Sequence, residues 1–146
     1  MSVLKNPKSE NPKPKSENWF ASWFDTPYYH ILYKHRDRTE ARQFIDALFA
    51  LLSPKKDDLI LDLACGRGRH AIYMNKKGFN VVGYDLAEEN INFAQRFANN
   101  QLHFEVRDMR ENLGNAQFDF VFNLFTSFGY FNKREDDILA LKAIAN

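Results

Sequence analysis

The sequence predicts an α/β fold, a parallel sheet with helices on its faces. Three observations lead there. From residue 59 onward, short apolar runs alternate with segments of helical period. The segments between the runs are long enough to hold crossover helices, which demands parallel strands joined by right-handed connections. Three successive runs each deliver an aspartate to their carboxyl ends, and that edge is where open α/β sheets bind ligands.

The elements follow in order. Residues 1–18 are rich in Lys, Pro, Ser, Asn and Glu with almost nothing to bury, which predicts a disordered tail. Residues 19–54 form an N-terminal aromatic and helical segment. Its aromatic stretch, Trp19 to Tyr33, reads equally as plain core or as a lid over a ligand. Asp37 and Glu40 resemble a capping pair, after which Phe44, Ile45, Leu48, Phe49, Leu51 and Leu52 recur with helical period until Pro54. Residues 55–146 then form the ligand-binding domain. Leu59 to Leu63 is its first strand, a glycine turn follows, and a helix runs from His70 to Lys77 with Gly78 as its stop. Phe79 to Tyr84 is the second strand. Ile91, Ala94, Phe97 and Ala98 mark the apolar face of the next helix, and Leu102 to Val106 alternates as a third strand. Phe118 to Phe125 reads as the fourth strand, with a further helix beginning near Lys133.

Composition narrows the partners. Lys and Arg number 20 against 19 for Asp and Glu, so charge gives no reason to expect nucleic acid or an anionic membrane. Cys65 is the one cysteine, which rules out an intrachain disulfide and makes a reducing cytoplasm the natural compartment. No apolar run approaches the roughly 18 residues of a membrane span, so no membrane partner is expected. The histidines lack ligand spacing with cysteine or acids, and no metal site is expected. Cys65 reads as a small packing residue of a tight turn rather than a nucleophile, since no base is implied beside it.

The chemistry begins where the first strand ends. In Asp62-Leu63-Ala64-Cys65-Gly66-Arg67-Gly68-Arg69-His70-Ala71, small residues let the backbone turn sharply, and the following helix directs its free N–H groups at a ligand. The glycines alone do not choose that ligand, because Gly66, Gly68 and Ala71 also fit the G-x-G-x-x-A dinucleotide fingerprint. Asp62 weighs against a pyrophosphate, which it would repel, and favours the ammonium of a methionine moiety, pointing to S-adenosylmethionine. Asp85 stands where a carboxylate accepts from both ribose hydroxyls, a position that serves NAD equally. Asp108 follows the third strand in the same relation. Any one of these aspartates reads as a helix cap, but three in register favour a shared ligand.

These segments together resemble the class I S-adenosylmethionine-dependent methyltransferases, from about Asp37 to the end of the chain. LDLACGRGRH is similar to the family's first motif, VVGYDLAEENI to its second, RDMR (Arg107 to Arg110) to its adenine-binding loop and FDFVFNLFTSFGYF to its fourth-strand motif. The resemblance implies a Rossmann-like parallel sheet with flanking helices, strand order 3-2-1-4, of which this sequence holds the first four strands. It implies that Asp62, Leu63, Ala64, Cys65, Gly66 and Gly68 surround the methionine end. Asp85 would hold the ribose diol, with Leu86 packed on the adenine. Asp108 and Met109 would flank the adenine, its exocyclic amine donating to Asp108, while Asn123 and Leu124 would line the floor near the sulfonium. Tyr28, Tyr33 and Arg38 are candidates to close over the cofactor.

Two departures shape the expectation. Methyltransferases acting on amino groups of nucleic acids and glutamine carry Asn or Asp, two prolines and an aromatic after the fourth strand, where this chain has Asn123-Leu124-Phe125-Thr126. A small-molecule methyl acceptor is therefore expected. Family members continue with further helices and three more strands, so a chain stopping at Asn146 reads as truncated, its bare fourth-strand edge inviting self-association. Methyl transfer from a sulfonium is an in-line displacement that orientation and exclusion of water largely accelerate, and no catalytic base is assigned. The alternatives are a NAD-dependent oxidoreductase on the same fold and a non-catalytic fragment that binds S-adenosylmethionine.

Overall fold

The computed structural model describes residues 38–125 and 127–145. The expected tail and the aromatic stretch, with Tyr28, Tyr33 and Asp37, lie outside the described residues. The elements in chain order are α1 (Arg38–Leu52), β1 (Leu59–Leu63), α2 (Arg69–Lys76), β2 (Asn80–Asp85), α3 (Glu88–Ala94) with a 3₁₀ turn (Gln95–Phe97), β3 (Leu102–Val106), β4 (Phe120–Phe122) and α4 (Arg134–Ala145). The sheet order is β3-β2-β1-β4 with every pairing parallel, as expected.

Strand alternation assigns the two faces. Ile60 of β1, Val81 of β2 and Phe122 of β4 join a core with Ile45 and Phe49 of α1, Ala71 and Met74 of α2, and Ile91 and Ala94 of α3. Their neighbours Leu61, Leu63 and Tyr84 point the other way and meet Leu113, from the connection between β3 and β4, and Ala143 of α4. A parallel sheet covered on both faces needs apolar residues at consecutive positions, which is why LILDL reads as a nearly unbroken apolar run. Asp62 shares the face of Ile60, so this carboxyl sits under α2 rather than in solvent.

Three expectations change. The expected apolar face of the first helix is rotated: Ala41, Ile45 and Phe49 are buried at i, i+4 spacing, whereas Leu51 is 79% exposed and Phe44 and Leu52 lie at the surface. The helix after β2 ends at Ala94 and tightens into a 3₁₀ turn before Ala98 goes extended. The fourth strand spans three residues instead of eight, and side chains join its flanks to β1, beside a backbone bond from the Asp119 N–H to the Leu59 carbonyl at 2.9 Å. The Asp119 carboxylate accepts the Leu59 N–H at 2.8 Å, and the Asn123 amide donates to the Leu63 carbonyl at 3.0 Å. Phe125, in left-handed backbone at φ 58°, then turns the chain away from the sheet.

Candidate cofactor-binding site

The turn from β1 to α2 is built from left-handed residues, with φ of 59° at Ala64, 57° at Gly66 and 76° at Gly68. Ala64 holds this conformation against the Cβ penalty that the glycines escape. The Cys65 N–H donates to the Tyr84 carbonyl at 2.9 Å, and the Gly68 N–H to the Cys65 carbonyl at 3.0 Å, which fixes the turn to the end of β2. The two glycines differ in use. A Cβ on Gly68 would lie 2.7 Å from the Phe104 ring, so this glycine lets α2 settle on the sheet. A Cβ on Gly66 would meet nothing within 4 Å, so Gly66 faces open space.

The three acids stand in different states. Asp62 is 1% exposed, and its Oδ2 accepts the Ala71 N–H at 3.1 Å. Burial pushes its carboxyl up to about 7 against the opposing pull of that N–H; the neighbouring Asp85 charge adds to the rise and Arg69 reduces it. Asp85, the last residue of β2, gives Oδ2 to the Gly66 N–H at 2.7 Å and Oδ1 to the Ala87 N–H at 2.9 Å. It therefore organises both the glycine turn and the entry to α3. Asp108, two residues past β3, is gripped by Arg110 through Nε at 3.0 Å, Nη2 at 2.6 Å and the backbone N–H at 2.9 Å. Burial works to raise the Asp108 carboxyl, but the Arg110 contacts prevail and hold it below the usual carboxylate range.

The other expected residues sort by position. Leu63 is buried among the side chains facing α4. Leu86 follows Asp85 and is surface-exposed beside it. Met109 packs partly against the cluster around Leu61, Leu63 and Tyr84, and Leu124 packs against the opposite core. Asn123 bridges the ends of β4 and β1 through the Leu63 carbonyl. Arg38 opens α1. The Cys65 thiol is buried and shifted upward by that burial and then by the Asp62 and Asp85 charges, which suits packing and not nucleophilic attack.

One cluster was not anticipated from sequence. The His70 ring stacks on Phe125 with centroids 5.1 Å apart and planes 2° apart, and Phe44 meets Phe125 edge-on at 4.9 Å. The Arg69 guanidinium lies 5.1 Å from the Phe125 centroid. His70 is 5% exposed, its Nε2 is buried without a hydrogen bond, and burial, then Arg69, pushes its imidazolium down to about 3. The group packs the start of α2 against α1 and the segment that follows β4. Its one sequence signal is a histidine directly after the Gly-Arg of the turn; Phe44 and Phe125 come from distant segments.

Comparison with known proteins agrees with this geometry. The family model described as a methyltransferase domain matches residues 60–145, more than half of the chain. The Bacillus subtilis protein YqeM, named as a methyltransferase, is 41% identical over 88 residues, covering 58% of this chain and 36% of its own. The dTDP-3-amino-3,4,6-trideoxy-alpha-D-glucopyranose N,N-dimethyltransferase of Streptomyces venezuelae is 30% identical over 111 residues, covering 74% of this chain and 46% of its own. The structure of SAM-bound CalS10, an amino pentose methyltransferase from Micromonospora echinaspora, superposes with a TM-score of 0.62 at 25% identity, over 82% of this chain and 51% of that one. This chain thus spans about half or less of the length of each of these relatives. It belongs to the methyltransferase domain family.

Proposed function

We propose that the protein is an S-adenosylmethionine-dependent methyltransferase acting on a small molecule. The observation that supports this most is the line of Asp62, Asp85 and Asp108 along the carboxyl edge of β1, β2 and β3, around a turn whose Gly66 faces open space. The residues fit that cofactor. Asp62 is a buried carboxyl with no Lys or Arg ion pair among the described residues, and an ammonium group beside it restores its ionised form. A pyrophosphate beside the same carboxyl brings no balancing cation and drives it further toward the neutral acid, which weighs against NAD. The relatives named above are methyltransferases and lend the nicotinamide alternative no support.

Each residue then has a task. Asp62 and the turn N–H groups hold the methionine end, alongside Leu63, Ala64, Cys65 and Gly66. Gly68 acts beneath them, by letting α2 approach. A carboxylate oxygen accepts two hydrogen bonds, so the Asp85 oxygens that hold the turn also serve the ribose hydroxyls. Leu86, Asp108 and Met109 bound the adenine, and Asn123 and Leu124 form the floor. S-adenosylmethionine, when bound, supplies an electrophilic methyl group on a sulfonium. The protein's share is orientation and exclusion of water, and no residue is assigned as a base.

Acceptor class follows from the relatives and the site together. Two relatives methylate amino sugars by name, and the residues after β4 lack the two prolines expected of enzymes acting on nucleic acid or glutamine amino groups. A small-molecule acceptor in a cytoplasmic setting is the reading we favour. No described helix is long and apolar enough to cross a membrane. The test of function is transfer of labelled methyl from S-adenosylmethionine to small amines, amino sugars, RNA and protein in parallel. Label entering the small molecules supports the reading; label confined to RNA or protein overturns the acceptor class.

A further inference from the structure

The grip of Arg110 on Asp108 leaves that carboxylate almost fully occupied. An ionised carboxylate offers about four acceptor positions. Arg110 takes three: its backbone N–H and Nε share Oδ1, and Nη2 takes Oδ2. One position remains, on Oδ2. Arg110 is itself held from other sides, since Nη1 lies 3.4 Å from Asp136 of α4 and the guanidinium sits 4.8 Å from the centroid of Phe131. The carboxylate is therefore aimed by a fork anchored to the helix on the far face of the sheet.

We infer that Arg110 is a positioning residue for base recognition: it fixes Asp108 so that one acceptor position on Oδ2 meets the exocyclic amine of adenine and repels a base presenting a carbonyl there. This rests on reading Asp108 as the adenine-facing residue. The chemistry is one of constraint. A freely rotating carboxylate turns away from a carbonyl or binds it through water, and a protonated one donates to it. A carboxylate clamped by a planar, permanently charged guanidinium does neither, because the fork sets its plane and the charge keeps the proton off. Lysine supplies the charge without the plane.

The experiment compares S-adenosylhomocysteine with S-inosylhomocysteine, which carries a carbonyl in place of the amine. Affinities for both are measured by calorimetry on the protein, Arg110→Ala and Arg110→Lys, with melting curves alongside. The unaltered protein is expected to favour the adenosyl compound by on the order of ten- to a hundredfold. In Arg110→Ala the preference is expected to collapse to within about threefold, with Arg110→Lys between the two. A variant that loses affinity for both compounds alike and keeps the ratio shows Arg110 to be a plain structural brace, and the inference falls while the reading of Asp108 stands. An unaltered protein that binds both compounds equally removes Asp108 from base recognition, and the inference with it. Should Arg110→Ala fail to fold, the ratio in Arg110→Lys decides: an unchanged preference overturns the inference.

Discussion

The Asp85 carboxylate accepts the Gly66 N–H at 2.7 Å, so the residue ending β2 holds the turn that follows β1. Its other oxygen takes the Ala87 N–H at the start of α3. On the proposed reading two roles meet in one side chain: it shapes the turn and presents oxygens to a ribose. Asp85→Ala is expected to weaken S-adenosylhomocysteine binding by about ten- to a hundredfold, since a hydrogen bond to a charged group contributes roughly 1.5–3 kcal/mol. The variant is also expected to be less stable by roughly 1–2 kcal/mol, and so to melt earlier, because two backbone donors lose their acceptor. Calorimetry and a melting curve read the two effects separately; unchanged affinity would take Asp85 out of the site.

Asp62 makes stability depend on pH. Its folded carboxyl titrates at about 7, above the ordinary 3.8, so the folded state binds the proton more tightly than the unfolded chain. The Asp62 contribution to stability is full below about pH 4, falls as pH rises through 7, and is level above that. The span from 3.8 to about 7 corresponds to on the order of 4 kcal/mol. Asp62→Asn, which still offers an oxygen to the Ala71 N–H, is expected to remove this slope, stabilise the ligand-free protein at pH 8 and weaken cofactor binding. Urea titrations across the pH range check it, and a slope that persists in the variant assigns the titration to another group.

His70 carries an unmet polar atom. Its imidazole is neutral, and the buried Nε2 has no hydrogen bond, an arrangement that costs about 1–3 kcal/mol. Phenylalanine preserves the stack on Phe125 without that atom. His70→Phe is expected to stabilise the ligand-free protein by roughly 1 kcal/mol or more, raising its melting temperature. A lowered melting temperature would show that the imidazole nitrogen is satisfied in solution.

Gly68→Ala probes how closely α2 sits on the sheet. The new methyl would fall 2.7 Å from the Phe104 ring at a position with φ 76°. Overpacking and left-handed strain together are expected to cost about 2–4 kcal/mol. Pairing the change with Phe104→Leu is expected to recover part of the loss, read from chemical denaturation of the double variant. Independent, additive losses would mean that the two residues do not meet.

Much of this architecture was legible in the residues. β1 and β3 begin and end where the apolar run and the alternating pattern put them, because turn residues bound each of them. β4 is shorter than its apolar run because apolar patterning records burial, whereas pairing with β1 covers Phe120 to Phe122 and is flanked by the side-chain bonds of Asp119 and Asn123. The three aspartates were found from their places relative to strands, a local property. Their electrostatic states were not, since the burial of Asp62 under α2 and the Arg110 fork on Asp108 are products of packing. The contact among Phe44, His70 and Phe125 joins three segments far apart in sequence, which periodicity alone does not connect.

Equilibrium binding of S-adenosylhomocysteine and NADH, measured side by side by calorimetry on the unaltered protein, tests the central claim most directly. On the proposed reading, the buried carboxyl of Asp62 beside the Gly66 turn is returned to its ionised form by an ammonium group, which a pyrophosphate does not supply. The account predicts saturable binding of S-adenosylhomocysteine and no measurable binding of NADH. Tight binding of NADH with no response to S-adenosylhomocysteine would contradict it.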